Sequence, residues 1–384
     1  MRTSWALNRG KKNRRGLDGN QQGFSLVELM VVMAIIALII SIVLPVLGGA
    51  RKAGRKVATQ GVLSDIAGAS GQFKLDNQGR NPGYFSPREM GSAQNLTRGM
   101  SEMENVMLDL AGPNAIVATA GPNTVEVGPV ASATIIVDPS LIGADKGAYF
   151  TPSGEYYQPM LSSSGQQITN VPGHAGSSET DVQLLDVVDA FGQPILFWSA
   201  DEYTVKEVTQ ASEFAARDSS GQSAMFYWNT NAAFLQSTNL GKQGEDMTVN
   251  PDPEVKSSLI GSGAIGNPET MLTMGALLGS PSAPRVPPGQ TVEDVLANPS
   301  VGSMELLFPG RPKGSFVIQS AGIDGIYLST KDRGFSAVAH ADDHIEYGLD
   351  FFISPTARVT DDDNRPTSRD VISEFDEIIV SGGG

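Results

Sequence analysis

Carboxylates dominate the chemistry open to this chain. One of them, Glu28, stands near the start of an almost unbroken apolar run from Phe24 to Leu47. An acid inside a membrane helix costs on the order of 2.5 to 3.5 kcal/mol even on lenient insertion scales, so it either sits at the interface or is compensated by a partner. A second set gathers toward the C-terminus: Asp324 in a GIDG turn, then Asp332, Asp342 and Asp343, the run Asp361, Asp362 and Asp363, and finally Asp376. Oxygen-rich loops of this kind suit a hard cation, with solvated acidic loops as the plain alternative. His340 and His344 stand four apart beside carboxylates in HADDHIEYG, and His174 is the third histidine. Zinc sites use that spacing on helices, but the flanking SAVA and GLDFFIS runs read as strands. No P-loop, HExxH or nucleophile elbow occurs, and there is no cysteine nucleophile, so the chain does not read as an enzyme.

The element that must position Glu28 is a helix. From Phe24 to Leu47 it would reach about 36 Å at about 1.5 Å per residue, enough to cross a hydrocarbon core of about 30 Å. Ahead of it lie Arg2, Arg9, Lys11, Lys12, Arg14 and Arg15 against the single acid Asp18. The positive-inside bias keeps such a leader in the cytoplasm and delivers the remainder across the membrane, as a single pass. Arg51, Lys52, Arg55 and Lys56 lie on the far side and oppose that bias, but the leader's six basic residues outweigh them. Net charge is −15, and removal of the leader would take it to −20. So acidic a remainder argues against nucleic acid as a partner. With no cysteine in an exported chain, stability must come from the core, from metal or from assembly.

G-F-S-L-V-E-L at 23–29, followed by the apolar run, resembles the prepilin signature of type IV pilins and of the pseudopilins of type II secretion. The resemblance implies that Gly23 is the last leader residue, cut by prepilin peptidase, and that Phe24 is the new, N-methylated terminus. Glu28 then matches the glutamate thought to pair with the terminal ammonium of a neighbouring subunit, where a buried charge is tolerated because it is paired. Pro45 falls where these helices often carry a proline, which removes one helical hydrogen bond. Because the cut lies before the apolar stretch, that stretch stays in the mature chain. Many type IV pilins close a C-terminal loop with a disulfide, whereas pseudopilins often use calcium. The absence of cysteine therefore leans toward the pseudopilins.

Beyond the membrane segment, Val62, Leu63, Ile66, Ala69, Ser70 and Phe73 recur at three- and four-residue spacing, which predicts one apolar stripe on a helix running to about Leu75. KLDNQGRNPG ends it and resembles the turn that closes the long pseudopilin helix. Ser101 with Glu104 three residues on predicts a capped helix to Leu110. AIVATA, TVEVGPV and ATIIVD read as a hairpin or small meander. Segments 161–180 and 237–315 are rich in Ser, Gly, Asn and Pro and read as loops, with short helices expected at PETMLTMGALL and TVEDVLANP. Three further blocks resemble pseudopilin motifs in family order: the turn Asp189-Ala190-Phe191-Gly192-Gln193-Pro194, the strand and turn GSFVIQSAGIDGIYLS, and the tail FDEIIVSGGG. By that likeness Asp324 matches a calcium-ligating carboxylate, and Asp361, Asp363 and Asp376 are the companion candidates.

The expected architecture is α+β and pilin-like: a long N-terminal helix on an antiparallel sheet of about four strands, with large loop insertions. The boundaries expected are a leader at 1–23, a membrane or filament-core helix at 24–47, its soluble half at 48–80, and a periplasmic β domain at 81–384 with insertions near 84–180 and 237–315. The expected role is structural, as a subunit of a type II secretion pseudopilus held in the bacterial inner membrane before assembly. Its partners would be copies of itself, other pseudopilins, prepilin peptidase and the inner-membrane assembly platform. A major or minor type IV pilin is the runner-up. A binding or enzymatic ectodomain that merely uses the prepilin route is the third reading.

Overall fold

The computed structural model describes residues 25–98, 100–111, 125–129, 135–138, 147–158, 184–202, 207–210, 212–217, 223–235, 258–261, 270–281, 288–291, 294–295, 297, 300–329, 332 and 370–383. Residues 1–51 and 52–384 form two compact units.

Helix α1 (Leu26–Asp76) is one continuous helix that contains Pro45. Within the first unit every described residue is exposed, including the large apolar side chains from Leu26 to Leu47. Within the second unit α1 buries Leu63, Ile66, Ala69, Ser70 and Phe73 of the predicted stripe, while Val62 is only partly buried and Thr59 joins the buried face. On another face Gly54, Gly61 and Gly68 are exposed, and a Cβ at any of them would meet nothing within 4 Å. The helix ends as the turn residues require: the Asn77 side chain and backbone both donate to Phe73 O, and the Gly79 N–H donates to Lys74 O at 2.8 Å with φ +85°.

After α1 come α2 (Pro87–Met90), α3 (Ala93–Arg98) and α4 (Glu102–Leu110), then short strands β1 (Val125–Val127), β2 (Ile135–Val137), β3 (Tyr157–Gln158) and β4 (Asp186–Val187). They are followed by β5 (Leu196–Ser199), β6 (Glu213–Arg217), β7 (Ser223–Tyr227), α5 (Ala232–Leu235), α6 (Thr270–Leu278), α7 (Val301–Met304), β8 (Phe316–Ser320) and β9 (Ile378–Gly382). Ser101 caps α4 with the reciprocal Glu104 contact that the sequence predicts. Val125–Val127 of TVEVGPV pairs antiparallel with Ile135–Val137 of ATIIVD; AIVATA lies outside the described residues.

The central sheet has three antiparallel strands in the order β5-β8-β9, against about four expected. Its registers are Phe197↔Ile318 and Ile318↔Val380. Side chains alternate between its faces. Phe197, Phe316, Ile318 and Ile378 pack into one core with Leu63, Ile66 and Phe73 of α1 and with α4. Leu196, Trp198 and Val317 point into a second core built from the β6–β7 hairpin and α6. The sheet is therefore covered on both sides.

That second core corrects the loop reading of 237–315 in part. PETMLTMGALL supplies α6, whose nine residues are all buried. At TVEDVLANP only Asp294–Val295 is helical among the described residues, and segment 161–180 lies outside them. Asn95 is buried and donates to Met90 O and Met100 O, each at 2.9 Å.

The two sides of α1 differ in what they support. Ile66→Ala, at a residue with 0% exposure, should cost about 2 to 5 kcal/mol in denaturant unfolding of the second unit. Leu75→Ala, at a residue 80% exposed, should stay within about 0.5 kcal/mol.

Candidate functional site

Gly23 and Phe24 lie outside the described residues. From Ser25 onward the helix start is self-capped: the Ser25 N–H donates to Glu28 Oε2 at 2.8 Å and the Glu28 N–H donates to Ser25 Oγ at 3.2 Å. Glu28 is exposed and is the only charged residue from Leu26 to Leu47. The cap engages one carboxylate oxygen only, so Glu28 stays open to a cation from outside the chain. Pro45 lies inside α1, where its missing N–H leaves one carbonyl of the preceding turn without its helical donor. By length and composition α1 can cross a membrane.

At the other end of the chain the structure brings Asp324, Asp332 and Asp376 together. One carboxylate oxygen from each lies within 4.8 Å of the others. Asp376 belongs to the stretch leading into β9, and its Oδ2 accepts the N–H groups of Ile323 at 2.6 Å and Asp324 at 3.0 Å. Asp324 is fixed in turn by its Oδ1, which accepts the Ile326 N–H at 2.8 Å. Gly322, at φ +75°, makes the approach feasible: a Cβ there would come within 2.5 Å of Asp376 Oδ1. Glu377 is half-buried next door, and its Oε1 accepts the Leu328 N–H.

These residues fit a hard cation. With metal–oxygen distances of about 2.3 to 2.6 Å, two ligands on opposite sides of a calcium ion sit up to about 5 Å apart, so oxygens within 4.8 Å need little movement. Asp376 Oδ1 accepts no hydrogen bond among the described residues. Burial, followed by the charge of Asp324, pushes the Asp376 carboxyl above its usual range, the strain that a bound cation relieves. Of the sequence candidates, Asp324 and Asp376 meet; Asp361 and Asp363 lie outside the described residues, as do His174, His340 and His344. Asp332 was legible only as the next acid after Asp324, and Glu377 only as part of the tail motif.

Other buried carboxyls are structural. In the DAFGQP turn Asp189 Oδ1 accepts the N–H groups of Phe191 at 2.8 Å and Gln193 at 2.9 Å, while Oδ2 accepts the Ser320 hydroxyl at 2.6 Å. The Ala190 N–H donates to Thr59 Oγ1, which ties this turn to α1. Burial nevertheless pushes Asp189 up to about 6. Glu102, Glu104 and Asp186 are also raised by burial, Glu104 further by the charge of Asp186.

A family model described as the prokaryotic N-terminal methylation motif matches residues 18–44. No curated protein and no solved structure matches the chain.

All these carboxyl shifts are upward, so the folded state holds more protons than the unfolded state above pH 4, and stability falls as pH rises through the raised values. In chelator the melting temperature of the full chain should therefore be lower at pH 7.5 than at pH 5. Asp189→Asn should flatten the part of that fall that runs from about pH 4 to about pH 6. A melting temperature independent of pH would contradict the burial of these groups as acids.

Proposed function

Starting from a chain that carries the N-terminal methylation motif of type IV pilin-like proteins, we propose that it is a structural subunit, cut after Gly23, N-methylated on Phe24 and stacked through α1 into a filament. The observation that carries this reading is the state of α1. Its first half exposes one continuous apolar surface with a single carboxylate, and its second half uses one face for the folded domain while leaving Gly54, Gly61 and Gly68 uncovered. A bilayer satisfies the first half. Packing against copies of the same helix satisfies both halves, since small residues let helix backbones approach closely. In that packing the terminal ammonium of a neighbouring Phe24 is the cation that Glu28 lacks among the described residues.

Within the pilin-like class the pseudopilus of type II secretion is the better-supported assembly. A chain without cysteine has no disulfide to close its C-terminal region, and the Asp324, Asp332 and Asp376 cluster supplies an alternative closure by calcium. The ion would tie the GIDG turn to the start of β9 and thus hold the edge strand of the sheet in place. Cytoplasmic leader, inner-membrane holding position and periplasmic folded domain follow from the leader's basic residues.

Two outcomes test this reading. Glu28→Ala should leave cleavage largely intact and reduce filament yield or N-methylation; normal filaments from that variant would refute the charge pair. Gly61→Leu with Gly68→Leu should leave the melting temperature of the chain near wild type, because both positions face open space, while blocking assembly. For the metal, chelation should lower the melting temperature in wild type and have no effect in Asp376→Asn.

A further inference from the structure

We infer that Arg51, Lys52, Arg55 and Lys56 form a face of α1 that binds anionic phospholipid headgroups in the leaflet next to the folded domain. The inference rests on the reading of Leu26 to Leu47 as the membrane span. All four residues are exposed, and none makes an ion pair among the described residues. At about 100° per residue, Arg51 with Arg55 and Lys52 with Lys56 form two adjacent i, i+4 rows on one side of the helix. Like charges at that spacing weaken a helix, so the arrangement calls for an outside anion. Glu155 shares a recess with Arg55 but is not paired with it.

Depth decides which anion. Arg51 stands about 6 Å and Lys56 about 14 Å beyond Leu47 along the helix. The headgroup layer extends about 5 to 8 Å from the hydrocarbon core. Helical side chains lean toward the helix N-terminus, here toward the bilayer, so the long arms of Arg55 and Lys56 reach back into that layer. Phosphate diesters at this level are the nearest dense anions. Leaving the bilayer for a filament then means breaking these contacts, which makes the face a retention device for the unassembled subunit.

The chain has no cysteine, so Ala53→Cys gives a single labelling site beside the cluster. The labelled full-length chain is reconstituted into phosphatidylcholine vesicles that contain the same mole fraction of headgroup-spin-labelled phosphatidylglycerol or phosphatidylcholine. Quenching by phosphatidylglycerol should exceed that by phosphatidylcholine about fivefold or more, the preference worth about one cation's contact at low salt. The preference should disappear with Arg51→Gln, Lys52→Gln, Arg55→Gln and Lys56→Gln combined, and in high salt. Equal quenching by the two lipids in the wild type would overturn the inference. So would a wild type without lipid preference whose self-association in neutral vesicles is lost in the fourfold variant, since the cations would then pair with a second copy. Quenching by neither lipid would remove the membrane span, and the inference with it.

Discussion

Among the described residues only its own helix start holds Glu28. Ser25 satisfies one of its oxygens, and the residues around it are apolar and exposed. Such an apolar surface is costly in water and tolerable in a bilayer, and on the proposed reading its acid is paired where another molecule brings a cation into an apolar contact. The folded domain takes one face of α1 and leaves another free, and the exposed glycines fall on the free face. Their cost in helix propensity, about 1 kcal/mol each against Ala, has no return within the isolated chain.

The folded unit makes that economy of faces workable. Its three-stranded sheet is buried on both sides, with α1 and α4 against one face and the β6–β7 hairpin and α6 against the other. A helix that donates a single stripe to the core can then be anchored firmly, because the sheet beneath it is held by the second layer. The DAFGQP turn adds a polar anchor, through Thr59 and the Ala190 N–H, at the level where the buried stripe begins. At the C-terminal end the same sheet depends on acids: Asp376 and Glu377 fasten the GIDG turn to the stretch before β9.

Legibility followed the range of the physics. The long helix, its stripe, its stop at Asn77 to Gly79 and the Ser101 cap were readable because each is fixed by neighbours within a few residues. The DAFGQP and GIDG turns were readable for the same reason. The second core was not. The β6–β7 hairpin joins Glu213–Arg217 to Ser223–Tyr227, and α6 becomes wholly buried only because distant segments cover it. A short helix without a polar face inside a Gly-, Ser- and Pro-rich stretch gives no amphipathic signal from which burial could be read. In the candidate cation site, Asp324 was marked by its turn. Its meeting with Asp376 depends on β8 and β9 pairing across more than fifty residues, which no local pattern encodes.

On the proposed reading the apolar run is an assembly helix with a processed, methylated start, and the mass of the chain's own N-terminus tests this most directly. Protein purified from membranes of its native host and digested should yield an N-terminal peptide that begins at Phe24 and carries one added methyl group. A mature chain that retains residues 1–23, or that begins beyond Glu28, would contradict the account.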